Sequence, residues 1–319
     1  MDKIYDVVAL GELLIDFTQN GVSSQGNTLF ECNPGGAPCN VLALLQKMKK
    51  KTAFIGKVGD DMFGRLLQER VAGEGIDLSG LIMSSQVNTT LAFVQTLPGG
   101  DRDFSFYRNP GADMSLEASE INTDLIAQAR IFHFGTLSMT HEGVEQATMK
   151  AIETAKNSGC LLSFDPNLRE PLWSSLNKAK EKIAYGMSVC DILKISDNEI
   201  EFMTGEKDID KGMQILIDKY QPQIAFATLG KDGSKAYYQG MTVFEKGVEN
   251  PNTIETTGAG DTFMGCALKF ILEHGLEQLQ EEELHELLRF ANAAASLITT
   301  KKGALCVMPS KEEVMEYMK

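Results

Sequence analysis

Thr257-Gly258-Ala259-Gly260-Asp261 runs directly into an amphipathic stretch that starts at Thr262. Two glycines around an alanine let the backbone turn tightly and aim successive N–H groups into one space. At a helix N-terminus those donors, together with the positive end of the helix dipole, bind anions. An acidic residue is out of place in a site meant for anions alone. It makes sense if the Asp261 carboxylate takes a proton from a hydroxyl that attacks a bound phosphate. The plainer reading is a glycine turn with Asp261 as a helix cap.

A second glycine pair favours the chemical reading. Pro34-Gly35-Gly36-Ala37-Pro38-Cys39-Asn40 opens the helical stripe Val41, Leu44, Leu45 and Met48, so its backbone can approach a ligand closely. Asn40 offers both a donor and an acceptor to a polyol, and Asp16, at the end of the first strand, completes a hydroxyl-binding set. Other phosphate and metal signatures are absent. Lys57 and Lys231 follow glycines but precede neither Ser nor Thr. The turn Gly11-Glu12-Leu13-Leu14 lacks the dinucleotide glycines. His133, His141, His274 and His285 show no metal-ligand spacing.

These groups need a scaffold, and the hydrophobic pattern supplies one. Val7–Leu10, Ala53–Ile55, Ile131–Phe134, Leu161–Phe164, Ile192–Ile195 and Ile224–Ala227 have the length and character of buried parallel strands. Helical stripes lie between them and after them, as in Phe263, Cys266, Ala267 and Phe270, and in Leu287, Phe290, Ala291 and Ala294. The alternation predicts an α/β fold: a doubly wound, mostly parallel sheet with helices on both faces. Residues 13–33 and 89–108 alternate apolar and polar side chains instead, with Pro98-Gly99-Gly100-Asp101 as a turn. They predict a small β-sheet lid on a single domain spanning 1–319.

With 319 residues, 43% of them hydrophobic, the chain can bury a large core, and a formal charge of −14 weighs against nucleic acid or an acidic membrane as partner. No segment reaches the ~20 apolar residues that span a bilayer, and no basic stretch with a long apolar run opens the chain. Six scattered cysteines without a C-x-x-C pair fit a reducing compartment. A cytoplasmic protein is expected.

The motifs together resemble the ribokinase-like (PfkB) carbohydrate kinases, nearest to their fructokinase branch, over nearly the whole chain. Five segments carry the resemblance in family order: Gly11–Phe17, Gly35–Asn40, Gly56-Lys57-Val58-Gly59-Asp60-Asp61, Phe106–Asp113 with Asp165–Arg169, and Thr256–Asp261. The resemblance implies a ribokinase-like sheet with its lid, and an ATP- and magnesium-dependent transfer of phosphate to a small sugar, D-fructose first. It implies that Asp261 is the base and that Gly258, Ala259 and Gly260 hold the charge on the moving phosphoryl. Asp16, Gly35, Gly36, Asn40, Arg108 and Arg169 would bind substrate. Asn198 and Glu201, read as N-x-x-E, would manage magnesium and phosphates through water; Thr228, Gly230, Gly233 and Asn292 would line the nucleotide. The sequence departs from the family at Glu255, where aspartate usually serves a monovalent-cation site, which bears on a requirement for potassium. A 2-keto-3-deoxygluconate kinase is the alternative within the family, since its lid also carries Tyr-Arg. A non-catalytic sugar or nucleotide sensor is the alternative outside catalysis. Exposed lid faces are compatible with a homodimer and equally with a monomer.

Overall fold

The computed structural model describes residues 3–96 and 102–319. The expected turn at Pro98–Asp101 lies outside the described residues, apart from which the elements run as follows. The first half comprises β1 (Tyr5–Leu10), β2 (Leu14–Val22), β3 (Thr28–Gly35), α1 (Ala37–Lys47), β4 (Thr52–Gly59), α2 (Met62–Gly73), β5 (Asp77–Ser84), β6 (Leu91–Thr96), β7 (Arg102–Tyr107), α3 (Thr123–Ala127), β8 (Ala129–Gly135) and α4 (Glu142–Asn157). The second comprises β9 (Leu161–Asp165), α5 (Leu176–Val189), β10 (Ile192–Ser196), α6 (Asp197–Thr204), α7 (Ile209–Tyr220), β11 (Ile224–Thr228), β12 (Gly233–Tyr238), β13 (Met241–Lys246), α8 (Ala259–His274), α9 (Glu281–Ile298) and α10 (Lys311–Tyr317).

Nine strands form the main sheet in the order β13-β12-β11-β10-β9-β8-β1-β4-β5. Its pairings are parallel from β11 through β5, and β12 and β13 close one edge antiparallel. All six expected strands fall in the parallel part. Because successive side chains alternate faces, β1 feeds two cores: Val7 and Ala9 pack with α1, α8 and α9, while Val8 and Leu10 pack with α4 and α5. A sheet buried on both faces reads as a mostly apolar run, which is why these strands were visible in the sequence.

The second sheet has the order β3-β2-β6-β7, with β2 and β6 parallel and the outer pairings antiparallel. The two expected lid segments are therefore joined into one sheet. Its pleat gives it two different faces. Leu14, Asp16 and Phe106 turn towards a pocket at the main sheet. Phe17 and Phe93 lie on the opposite face, stacked at 4.9 Å, with Phe30, Phe63 and Tyr107 packed around them edge-on. All six cysteines are free, and among the described residues no helix is long and apolar enough to cross a membrane.

Candidate active site

The pocket lies beyond the carboxyl ends of β1, β9 and β10, the position where open α/β sheets bind ligands. Its volume is about 530 Å³, and it brings together Glu12, Asp16, Gly36, Asn40, Arg169, Lys194, Glu199, Gly258, Gly260 and Asp261, among others. Each wall has a local cause in the chain.

The turn into α1 is built from glycine because nothing larger fits. Gly36 has φ +130, and a Cβ there would collide with the Glu12 carbonyl oxygen; a Cβ on Gly35 would collide with Asp16 Oδ2. Gly36 has no capping side chain of its own. Glu12 supplies the acceptor from β1's end instead, its Oε1 taking the Ala37 N–H at 2.8 Å. Burial pushes the Glu12 carboxyl up to about 7; the Ala37 N–H and the Arg108 charge pull against that, and Asp113 adds to it.

Across the pocket, Gly258 has φ +77 and starts α8 with no side-chain cap. Ala259 N–H is spent on Thr256 O at 3.3 Å, and the first intrahelical bond is Thr262 N–H to Gly258 O. Gly258, Gly260 and Asp261 line the pocket, so the N-terminal end of α8, a place suited to an anion, faces it. Asn40 Nδ2 donates to Asp261 Oδ2 at 2.7 Å, linking the two glycine turns across 221 residues of chain. Burial raises the Asp261 carboxyl above its ordinary range, while the Asn40 hydrogen bond and the charges of Lys194 and Arg169 hold it down. Asn40 Oδ1 is buried with no partner among the described residues. An orphaned acceptor inside a polar pocket is a place for a ligand hydroxyl.

The third wall was not foreseen. Lys194 of β10 reaches Asp165 at the end of β9, with Nζ at 3.0 and 3.2 Å from the two carboxylate oxygens. Burial would lower the Lys194 ammonium, but Asp165 and Glu199 outweigh it and hold it above its ordinary range, while burial pushes the Asp165 carboxyl up to about 6 against the pull of Lys194. Ser196 caps α6 and forms a capping box with Glu199. Glu199 Oε2 accepts from Ser196 N and Oγ, both at 2.8 Å, and Oε1 from Leu168 N at 2.8 Å, which fixes the loop that carries Arg169.

Several expected residues sit elsewhere than the sequence placed them. Asn198 and Glu201 are exposed and line a neighbouring outer recess of about 540 Å³, whereas Ser196 and Glu199, two positions earlier, border both recess and pocket, as Arg169 does. The helix begins at Asp197, so Asn198 and Glu201 fall within its first turns. Arg108 does not line the pocket. It is buried and committed: Nε donates to Asp113 Oδ2 at 2.8 Å, and its terminal nitrogens to Thr140 Oγ1 and Leu137 O, each at 3.0 Å. It ties the root of the lid to the base. Asn292 is committed too, accepting from Ser234 Oγ and donating to the carbonyls of Glu245 and Lys246, so its amide pins β12 and β13 and has no donor left for a purine. Thr228 pairs with Ser196 at the strand ends, and Gly230 and Gly233 bracket the following turn; none of the three lines the pocket. Glu255 accepts Gly303 N–H at 2.9 Å. Among the described residues no cluster of three or more His, Cys, Asp or Glu is arranged to hold a metal.

Residues 5–311 match the pfkB family of carbohydrate kinases. The chain belongs to that family. It is 41% identical over 317 residues to probable fructokinase-2 of Arabidopsis thaliana, covering 98% of this chain and 95% of that protein. Two solved structures are similar throughout. Fructokinase with bound ATP from Xylella fastidiosa matches with a TM-score of 0.88 at 27% identity, covering 99% of this chain and 98% of that one. A double mutant of fructokinase from Vibrio cholerae O395, in a fructose-, ADP- and potassium-bound form, matches with a TM-score of 0.88 at 27% identity over 100% of both chains. This pfkB kinase thus shares its overall fold with those fructokinase structures.

Proposed function

We propose that this carbohydrate kinase is an ATP-dependent fructokinase, catalysing ATP + D-fructose → ADP + D-fructose 6-phosphate. The observation that carries the reading is the Asp261 carboxylate, held at 2.7 Å by Asn40 in the first turn of α8, beside Gly258 and Gly260 in one pocket. The names of the curated and structural relatives support the choice of sugar.

In this mechanism the sugar lies between the α1 turn and the lid. Asp16 and the backbone at Gly35 and Gly36 take its outer hydroxyls, and the unpartnered Asn40 Oδ1 accepts one more. The free Asp261 carboxylate oxygen takes the proton of the attacking hydroxyl as the new O–P bond forms and the bond from phosphorus to the ADP oxygen breaks. The amides of Gly258, Gly260 and Asp261 face the equatorial oxygens of the moving phosphoryl. Ala259 contributes by shaping that turn. Positioning and charge stabilisation supply most of the acceleration in such transfers. ATP extends from the pocket past Arg169 towards Thr228, Gly230 and Gly233. Magnesium, when bound with the nucleotide, neutralises phosphate charge; the donor set fits an ion that keeps its waters, with Glu199 bordering both recesses and Glu201 on the outer one. A potassium ion beside Glu255 would brace the Gly258 turn, and equal rates in matched potassium and sodium chloride would remove it from the mechanism.

Arg108 also bears on the substrate. Its charge is neutralised by Asp113, so Arg108 is no free cation for a sugar acid, which favours a neutral hexose over 2-keto-3-deoxygluconate. The outer lid face, with Phe30 44% and Tyr107 65% exposed around the Phe17–Phe93 stack, suits pairing with a second copy. The deciding experiment is ADP release followed against fructose, glucose, ribose and 2-keto-3-deoxygluconate. Fructose giving the highest kcat/KM supports the reading; a higher value for the acid, or no ADP with any of them, overturns it.

A further inference from the structure

Folding alone gives no reason for a lysine at position 194. It stands between Leu193 and Ile195 in a strand where Ile192, Leu193 and Ile195 fill the two cores, and its side chain is 8% exposed. A buried ion pair such as Lys194–Asp165 is seldom more stable than two apolar side chains of the same volume. Stability therefore does not explain the pair, and its position offers another reason.

Lys194 lines the pocket. A Cβ built on Gly260 would lie 3.1 Å from its Nζ, so the ammonium sits against the first turn of α8, and glycine at 260 is what lets it come so near. That turn is the positive end of a 16-residue helix, left without a side-chain cap. An ammonium facing a helix N-terminus is repelled by it. Asp165 compensates for the repulsion in the empty protein, and an anion entering between the two would turn it into attraction. Asp165 lies on one side of the ammonium, and an ammonium carries three donors, so some point elsewhere. The orphaned Asn40 Oδ1 marks the same pocket as built for a polar ligand.

We propose that Lys194 is a further catalytic residue, whose ammonium contacts the phosphoryl group in transfer and, with the α8 amides, carries the negative charge that builds on it. Asp165 is the positioning residue that aims it. No proton passes through Lys194; it stays charged while phosphorus exchanges one oxygen for another. The inference rests on the kinase reading above, and the wild-type enzyme separates the two: absence of ADP release by wild type with every sugar would sink the kinase reading itself.

With wild type active, Lys194→Met tests the inference. We expect kcat to fall ~10²–10³-fold, the usual cost of losing one preorganised charge-stabilising donor. The KM for fructose and the Kd for ATP should stay within about threefold, because the contact is made chiefly in the transition state. Binding of ADP with aluminium fluoride and fructose should weaken as kcat falls. The acid limb of the kcat profile should also move to higher pH, since Lys194 helps hold the Asp261 carboxyl down. A purely structural lysine would leave kcat and the aluminium fluoride affinity unchanged in a folded variant. If Asp165 left unpaired prevents folding, Lys194→Met with Asp165→Asn removes both charges and carries the same test. A folded single or double variant with kcat within about fivefold of wild type, or a loss confined to KM, overturns the proposal.

Discussion

Replacing Asp113 with alanine leaves the Arg108 guanidinium buried at the root of the lid with its charge uncompensated. The two side chains are 3% and 2% exposed and 2.7 Å apart, so water cannot reach in to take over. Removing one partner of such a pair costs about 3–5 kcal/mol. Unfolding entropy of ~2.1 cal/mol/K per residue over 319 residues makes that a fall in Tm of roughly 4–7 °C. The assay is a thermal melt by circular dichroism, alongside kcat and KM on the same preparations. Arg108→Met with Asp113→Leu removes both charges and should recover most of the loss. Because Arg108 also holds Leu137 O and Thr140 Oγ1, it acts as a bolt between lid and base and not as a hand on the sugar. An Asp113→Ala protein melting within about a degree of wild type would refute this reasoning. So would Arg108→Met raising the KM for fructose at unchanged Tm.

Two other perturbations follow from the geometry. Glu12, pushed up to about 7 from 4.5, keeps its proton in the folded state after the unfolded chain has lost it. Stability therefore falls as pH rises between those values, by roughly 3 kcal/mol for a shift of that size. Glu12→Gln keeps the acceptor for Ala37 N–H but cannot ionise; urea titrations at pH 5 and pH 8 should show it gaining on wild type at the higher pH, and parallel profiles would count against the assignment. At the phosphate end, Glu199→Gln should lower kcat ~10-fold or more by loosening the Arg169 loop and Ser196, whereas Glu201→Gln, exposed on the outer recess, should change it little. The opposite ranking would place that role on Glu201.

Six of the seven parallel strands of the main sheet were legible because burial on both faces keeps them mostly apolar, with single polar residues only at His133, Ser163 and Lys194 within the expected segments. β5 and β13 were not, being outer strands in which apolar and polar side chains mix. The glycine turns were legible because Gly36 and Gly258 take a positive φ that other residues rarely adopt, and a Cβ at Gly35 would press on the Asp16 side chain. Arg108 and Asn292 both hold partners within the fold that the sequence did not reveal, for one shared reason. A sequence shows that a polar side chain exists, but whether its donors are already spent depends on partners such as Asp113 and Ser234 brought near by the fold. Two signals were present and passed over: Ser196-Asp197-Asn198-Glu199 is a capping box, which fixes the start of α6. Lys194, alone among Ile192, Leu193 and Ile195, is a charge that an apolar strand must have a reason to bury.

The central claim concerns the Asp261 carboxylate, and Asp261→Asn tests it with little change of shape. The new amide oxygen can still accept from Asn40 Nδ2, but the side chain can no longer take a proton. Single-turnover and steady-state rates with fructose should fall ~10²–10⁴-fold, with ATP affinity by calorimetry unchanged. A variant that binds ATP and turns over fructose at the wild-type rate would show that the proton goes elsewhere, and the mechanism drawn from this site would be wrong.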